Sequence, residues 1–193
     1  MNSKQFLALA CAVLLAGCAS TPVPTPPSAS PVFTLWSPTF PDGASLATMH
    51  AGNLAGNPNC VGQNVTPPLA WNNVPAGTKS LAILVHDQEG RSGLGVVHWI
   101  AYGISPAVTG FAENEIGQPS AKYVGGKSSL NLGNYMGPCP PAGTGQHHYV
   151  YTLIATDAEP AELPAGLTMQ EAFTRLQGKT RGASSIVLRY GRP

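Results

Sequence analysis

Ser80-Leu-Ala-Ile-Leu-Val-His-Asp87 is apolar almost without a break and rich in branched side chains. Its length and branching read as a strand rather than a helix. Strand alternation puts Leu81, Ile83, Val85 and Asp87 on one face. The residues between them are apolar too, so the sheet is expected to be covered on both sides. Ending such a strand in Asp87 places a carboxylate at the rim of a core. Similar runs lie further out, at Val96 to Tyr102, Tyr149 to Thr156 and Ser184 to Tyr190, and Phe33 to Trp36 opens another strand. One helix is marked. Thr168-Met-Gln-Glu171 is a capping box, Met169, Ala172, Phe173 and Leu176 follow helical spacing as a buried face, and Gly178 stops the run. With 22 glycines and 19 prolines the remainder is turns. The expected fold is mostly β, a sandwich with a short peripheral helix.

The amino terminus concerns location. Lys4 precedes a short apolar run, Phe6 to Leu15, which closes in Leu15-Ala16-Gly17-Cys18. A bilayer span needs roughly 18 or more apolar residues, so 1–17 reads as an export signal. Its end resembles a bacterial lipobox, which implies cleavage before Cys18 and lipidation of Cys18. Ala19 rather than Asp follows, which points to the outer membrane facing the periplasm. Residues 18–32 are Pro, Ser, Thr and Ala with little apolar bulk and read as a tether. The expected domain is 33–193, long enough for one proper core. With Cys11 in the signal and Cys18 lipidated, Cys60 and Cys139 are left in an oxidising compartment. A disulfide is expected, the alternative being two separate buried thiols. A net charge of +1 with 10% charged residues leaves no basic stripe, which argues against nucleic acid as a partner.

The long connection from Phe111 to Met136 leads into Gly137-Pro-Cys-Pro-Pro-Ala-Gly-Thr-Gly-Gln-His-His-Tyr149. Connections of this length are often functional. Glycine turns of this kind can expose backbone N–H groups as an anion nest. Alternation puts His147, Tyr149 and Tyr151 on one face and His148 on the other, at the surface or rim. It puts His98 with Val96, Ile100 and Tyr102. Trp36, Trp71 and Trp99 read as core or pocket wall.

These pieces form an ordered series: Gly62-Gln-Asn64-Val-Thr-Pro67-Pro68-Leu69-Ala-Trp71, Pro75 to Ser80, Asp87, His98-Trp99, Gly137-Pro-Cys-Pro-Pro141, His147-His-Tyr149, and a last strand ending Arg-Tyr190-Gly-Arg192. The series strongly resembles the phosphatidylethanolamine-binding protein family in its bacterial, Raf kinase inhibitor-like branch, over about 37 to 192. The resemblance implies two antiparallel sheets with short edge helices and a pocket for anions and phosphorylated headgroups. No cofactor and no metal are expected. Carried over by motif, the ligand-binding residues are Asp87, His98, Gly137, Pro138, Pro140, His147 and Tyr149. The chain departs from the family at Asp87-Gln88-Glu89-Gly90-Arg91, where Asp-Pro-Asp-x-Pro is usual. Glu89 keeps the second acid, the prolines are gone, and Arg91 adds a cation able to pair with Glu89 or meet a ligand.

Three functions compete. One is a membrane-anchored binding protein for a small anionic or phosphorylated ligand, or for a protein docked at the pocket rim. A second is an inhibitor of a protease or kinase. The third is an enzyme, with the His and Asp pocket serving acid–base hydrolysis or holding zinc. The chain lacks Gly-x-Ser-x-Gly and His-Glu-x-x-His, so the non-enzymatic reading is preferred.

Overall fold

The computed structural model describes residues 31–193. The signal, Cys18 and nearly all of the tether lie outside the described residues. Among the described residues nine strands form two sheets. A three-stranded sheet has β1 (Thr34–Trp36), β3 (Leu69–Asn72) and β6 (Gly110–Phe111), with β3 in the middle. A six-stranded sheet adds β2 (Ala44–Ser45), β4 (Ser80–Asp87), β5 (Val96–Ile104), β7 (Val124–Gly125), β8 (Gly145–Thr156) and β9 (Thr180–Arg192). Its order is β2-β9-β8-β4-β5-β7. All pairings are antiparallel except β2 with β9, which is parallel. That parallel pair is a detail the expected antiparallel sandwich lacks.

The apolar run of β4 is explained by its position. Leu81, Ile83 and Val85 pack into the core between the sheets, with Leu35, Trp71 and Phe111 of the small sheet. Ala82 and Leu84 face a second core, closed by Leu163, Leu167, Ala172 and Leu176. Each fully buried Leu or Ile contributes about 1.5–3 kcal/mol. Both faces of β4 are therefore buried, as the unbroken pattern requires.

The helix is Met169–Leu176, and both halves of the Thr168–Glu171 capping box are formed. Ala172 and Leu176 are buried, but Phe173 is 38% exposed. The predicted apolar face is thus narrower than its spacing suggests. Trp71 and Trp99 are core residues grouped edge-on with Phe111, and Trp36 is partly exposed. Neither buried tryptophan lines the polar cavity described below. The Phe111–Met136 connection contains β7, which pairs with β5 and covers the edge of the large sheet. Among the described residues no helix is long and apolar enough to cross a membrane.

Candidate functional site

Asp87 ends β4 opposite Tyr149 of β8 and Val96 of β5, so three strands converge there. Its carboxylate is 4% exposed and accepts on both oxygens. Oδ1 takes the Gly90 N–H at 3.0 Å, and Oδ2 takes His147 Nδ1–H at 2.8 Å. His147 Nε2 lies 3.1 Å from Thr144 Oγ1. Thr144 Oγ1 also lies 2.8 Å from Pro141 O, which competes with His147 Nε2 for the single hydroxyl proton. Both ring nitrogens of His147 are thus engaged, Nδ1 by the Asp87 carboxylate and Nε2 by Thr144.

His98 arrives differently. Val85 pairs with Trp99 and His86 with Val97, which leaves His98 without a partner across the ladder. It is the extra residue of a β-bulge, and a bulge re-aims a side chain. Simple alternation puts His98 with Ile100 and Tyr102, which belong to the outer core. The bulge corrects this, turning the ring inward to meet Tyr149 edge-on, with centroids 5.1 Å apart. His98 Nδ1–H donates to Met136 O at 2.7 Å. Burial pushes its pKa down, against the opposing pull of Met136 O and Asp87, which favours the neutral ring. Its Nε2 is then an acceptor, 4.0 Å from Asp87 Oδ2.

A cavity of about 200 Å³ opens at this convergence. Asp87, His98, Gly137, Pro140 and His147 line it, joined by Arg91, which sequence reasoning left with two options. Pro138 and Tyr149 are buried outside the lining. Tyr149 backs the two histidine rings, and its hydroxyl has no hydrogen-bond partner among the described residues. Burial, and next the nearby Asp87 carboxylate, push the Tyr149 phenol well up. Asn57, Leu130 and Met136 also line the cavity and carried no signal beyond their neighbourhood. Thr144 was readable only as a hydroxyl three residues before His147. A larger concavity of about 490 Å³ lies beside the helix, but its lining, including Phe173, Gln170 and Thr180, has no ionisable side chain. Among the described residues no group of three His, Cys, Asp or Glu is placed to hold a metal ion.

The cavity wall is fastened to the loop before β3. Cys60 and Cys139 form a disulfide, and Cys139 lines the cavity. Gly137 N–H donates to Asn64 Oδ1 at 2.7 Å, and Gly52 N–H to Pro138 O at 2.8 Å. At Gly137 any side chain would overlap the His50 carbonyl, so the family glycine has a packing reason here.

The other wall is the turn 89–95. Arg91 and Ser92 are both left-handed, with φ of 54° and 58°. Non-glycine residues are held there at about 1–2 kcal/mol each. Proline cannot adopt such a φ, so this turn has a different path from the usual Asp-Pro-Asp-x-Pro rim. Glu89 does not meet Arg91. It accepts from His148 Nδ1 at 2.8 Å and His148 N–H at 3.2 Å. Burial would raise the Glu89 carboxyl, but these bonds outweigh it and bring the pKa down to about 2.

A sandwich with a small polar cavity where its central strands end, floored by a carboxylate and two imidazoles, is the frame of a small-ligand binding protein. The chain matches a family model described as Phosphatidylethanolamine-binding protein over residues 36–191. It belongs to that family. Within it, the chain is 39% identical over 166 residues to a Mycobacterium tuberculosis protein named "Putative lipoprotein LppC", spanning 84% of this chain and 74% of that one. It is 33% identical over 144 residues to a UPF0098 protein of Methanothermobacter thermautotrophicus, covering 73% of this chain and 92% of that protein. The crystal structure of Escherichia coli YbcL superimposes with a TM-score of 0.74 at 27% identity, over 83% of this chain and 99% of the other.

Proposed function

We propose that this chain is a lipid-anchored, non-catalytic binding protein that captures a small phosphorylated or anionic ligand in the Asp87, His98 and His147 cavity. The single observation that carries the reading is the bulge. It brings His98 to the same cavity as a carboxylate–imidazole pair on two other strands. Export and anchoring through Cys18, at an outer membrane facing the periplasm, are supported by the signal pattern and by the relative whose name includes lipoprotein. The ligand sits against polar groups that are already oriented, so little ordering is needed on binding.

Thr144, His147 and Asp87 also have the connectivity of a hydroxyl–imidazole–carboxylate relay. In an acyl-transfer relay the hydroxyl gives its proton to the histidine. Here Pro141 O, 2.8 Å from Thr144 Oγ1, competes for that proton, which favours binding over hydrolysis.

The test is calorimetric titration of the full chain in detergent with inorganic phosphate and phosphoethanolamine. Saturable heat that disappears in folded His98→Ala and His147→Ala variants is the expected result. Equal binding in both variants refutes the assignment. Ester turnover that Thr144→Val abolishes moves the function to hydrolysis.

A further inference from the structure

We propose that Arg91 is the specificity-determining residue of this cavity, and that the ligand it selects is a phosphate monoester bearing one proton. The proposal rests on the anion-pocket reading and deepens it. Its first support is charge accounting within the lining. Asp87 and His147 are paired at 2.8 Å, and Asp87 spends its other oxygen on Gly90 N–H. Glu89, the acid nearest Arg91 in the turn, is engaged by His148 through both ring and backbone. Among the described residues Arg91 makes no ion pair. It is therefore the arginine of the cavity lining with no carboxylate partner of its own, and it is exposed at the mouth.

The second support is the turn itself. Consecutive left-handed residues at Arg91 and Ser92 are closed by Gly93 N–H to Glu89 O at 3.2 Å and Gly95 N–H to Gly90 O at 2.9 Å. Strained backbone of this kind persists where surrounding bonds over-determine it, and it clusters at ligand clamps. Here it sets a cation on the rim at a place where the family pattern has proline.

The third support is the inner end of the cavity, which offers acceptors. His98 Nδ1–H is committed to Met136 O, so neutral His98 presents the Nε2 lone pair, 4.0 Å from Asp87 Oδ2. A bare phosphate oxygen pushed between these two atoms meets repulsion on both sides. A P–OH donates to Nε2 and turns the repulsion there into a hydrogen bond. A singly protonated monoester supplies that donor inside and leaves charged oxygens for Arg91 at the rim. A phosphodiester has the charge and no P–OH. A free ammonium has the donor and the wrong charge for the rim.

The experiment is titration calorimetry on the full chain near pH 6 with methyl phosphate, dimethyl phosphate, phosphoethanolamine and ethanolamine. Wild type is compared with Arg91→Ala, Arg91→Lys and His98→Gln, each shown folded by circular dichroism. Methyl phosphate is expected to bind, and dimethyl phosphate at least about tenfold more weakly. Arg91→Ala is expected to lose about tenfold for methyl phosphate, the size of one charge-assisted hydrogen bond, with partial recovery in Arg91→Lys. Unchanged affinity in Arg91→Ala, with binding lost in His98→Gln, overturns the role of Arg91 and leaves the pocket standing. Equal affinity for the diester overturns the ligand class. Binding of phosphoethanolamine without methyl phosphate makes the ammonium the inner donor and overturns it as well. No binding of any probe by folded wild type overturns the anion pocket and this proposal with it.

Discussion

Removing the Cys60–Cys139 bridge should unfasten the cavity and cost most of the stability margin of a small protein. The bridged residues are 79 apart in sequence. Loop-closure entropy for that separation corresponds to about 4.5 kcal/mol at 25 °C. For a chain of this size each kcal/mol moves the melting temperature by about 2–4 °C, so a Cys60→Ser, Cys139→Ser double variant should melt about 9–18 °C lower. The effect on the cavity is local. Gly137 and Pro138 keep their bonds to Asn64 and Gly52 without the bridge. Beyond Cys139, the stretch carrying Pro140 and Pro141 is next held by Gly143 N–H on Arg192 O at 3.2 Å. Pro140 and Pro141 therefore lose their nearest anchor. Urea denaturation measures the first effect, and phosphate titration of the folded variant the second. A stability loss below about 1 kcal/mol at unchanged m value would refute the entropic argument. Equal phosphate affinity with and without the bridge refutes the fastening of the wall.

Asp87→Ala strands His147 Nδ1 and the Gly90 N–H in a buried site and should cost about 3–5 kcal/mol by urea denaturation, with Asp87→Asn milder because Oδ1 is kept. A loss within experimental error contradicts the pairing. Gly137→Ala forces the wall off the His50 carbonyl and should cost about 1–3 kcal/mol, with weaker phosphate binding in the same variant. Burial holds the folded His98 pKa below the ordinary 6.5, so acid protonates the unfolded chain first. Stability should then fall as pH drops below about 6.5, and a His98→Gln variant should show a flatter profile over pH 7 to 5; an identical slope excludes His98 as the cause. Glu89 is depressed from 4.5 to about 2, so its contribution is present above 4.5 and is lost as pH falls through about 2. Because this pair is substantially exposed, His148→Ala should cost no more than about 1 kcal/mol at pH 7, a difference that disappears toward pH 2. A difference that persists there belongs to something other than the Glu89 carboxylate.

The parts legible in the sequence were those with a local cause. β4 matches its apolar run at both ends because burial on two faces leaves no other use for it. The helix was readable because Thr168 and Glu171 satisfy backbone donors within one turn. His147 and His148 separate as alternation demands, since β8 is regular there. What escaped was set by partners distant in the chain. The bulge at His98 is decided by how β5 meets β4, and no period within β5 announces it. The early start of β8 at Gly145 and of β9 at Thr180 comes from the mutual pairing of two long strands through a glycine-rich stretch that looks like turn. Phe173 has the right spacing but lies beyond the width of the core that Ala172 and Leu176 fill. The left-handed path falls on Arg91 and Ser92 themselves, not only on the glycines around them, and nothing in those two side chains marks it. Tyr149 shares its face with His147, yet direction alone could not tell the lining of a cavity from its backing.

His98 is also a residue of β5 that its ladder with β4 can do without. Delete it, and Val97 and Trp99 become neighbours that already point to opposite faces, the regular alternation of an unbroken strand. The shortened chain would keep both cores and lose the imidazole from the cavity. Overall identity is therefore a poor guide to which relatives carry an imidazole at this place. Two members of the family can share the whole sandwich and differ in that chemistry by a single codon.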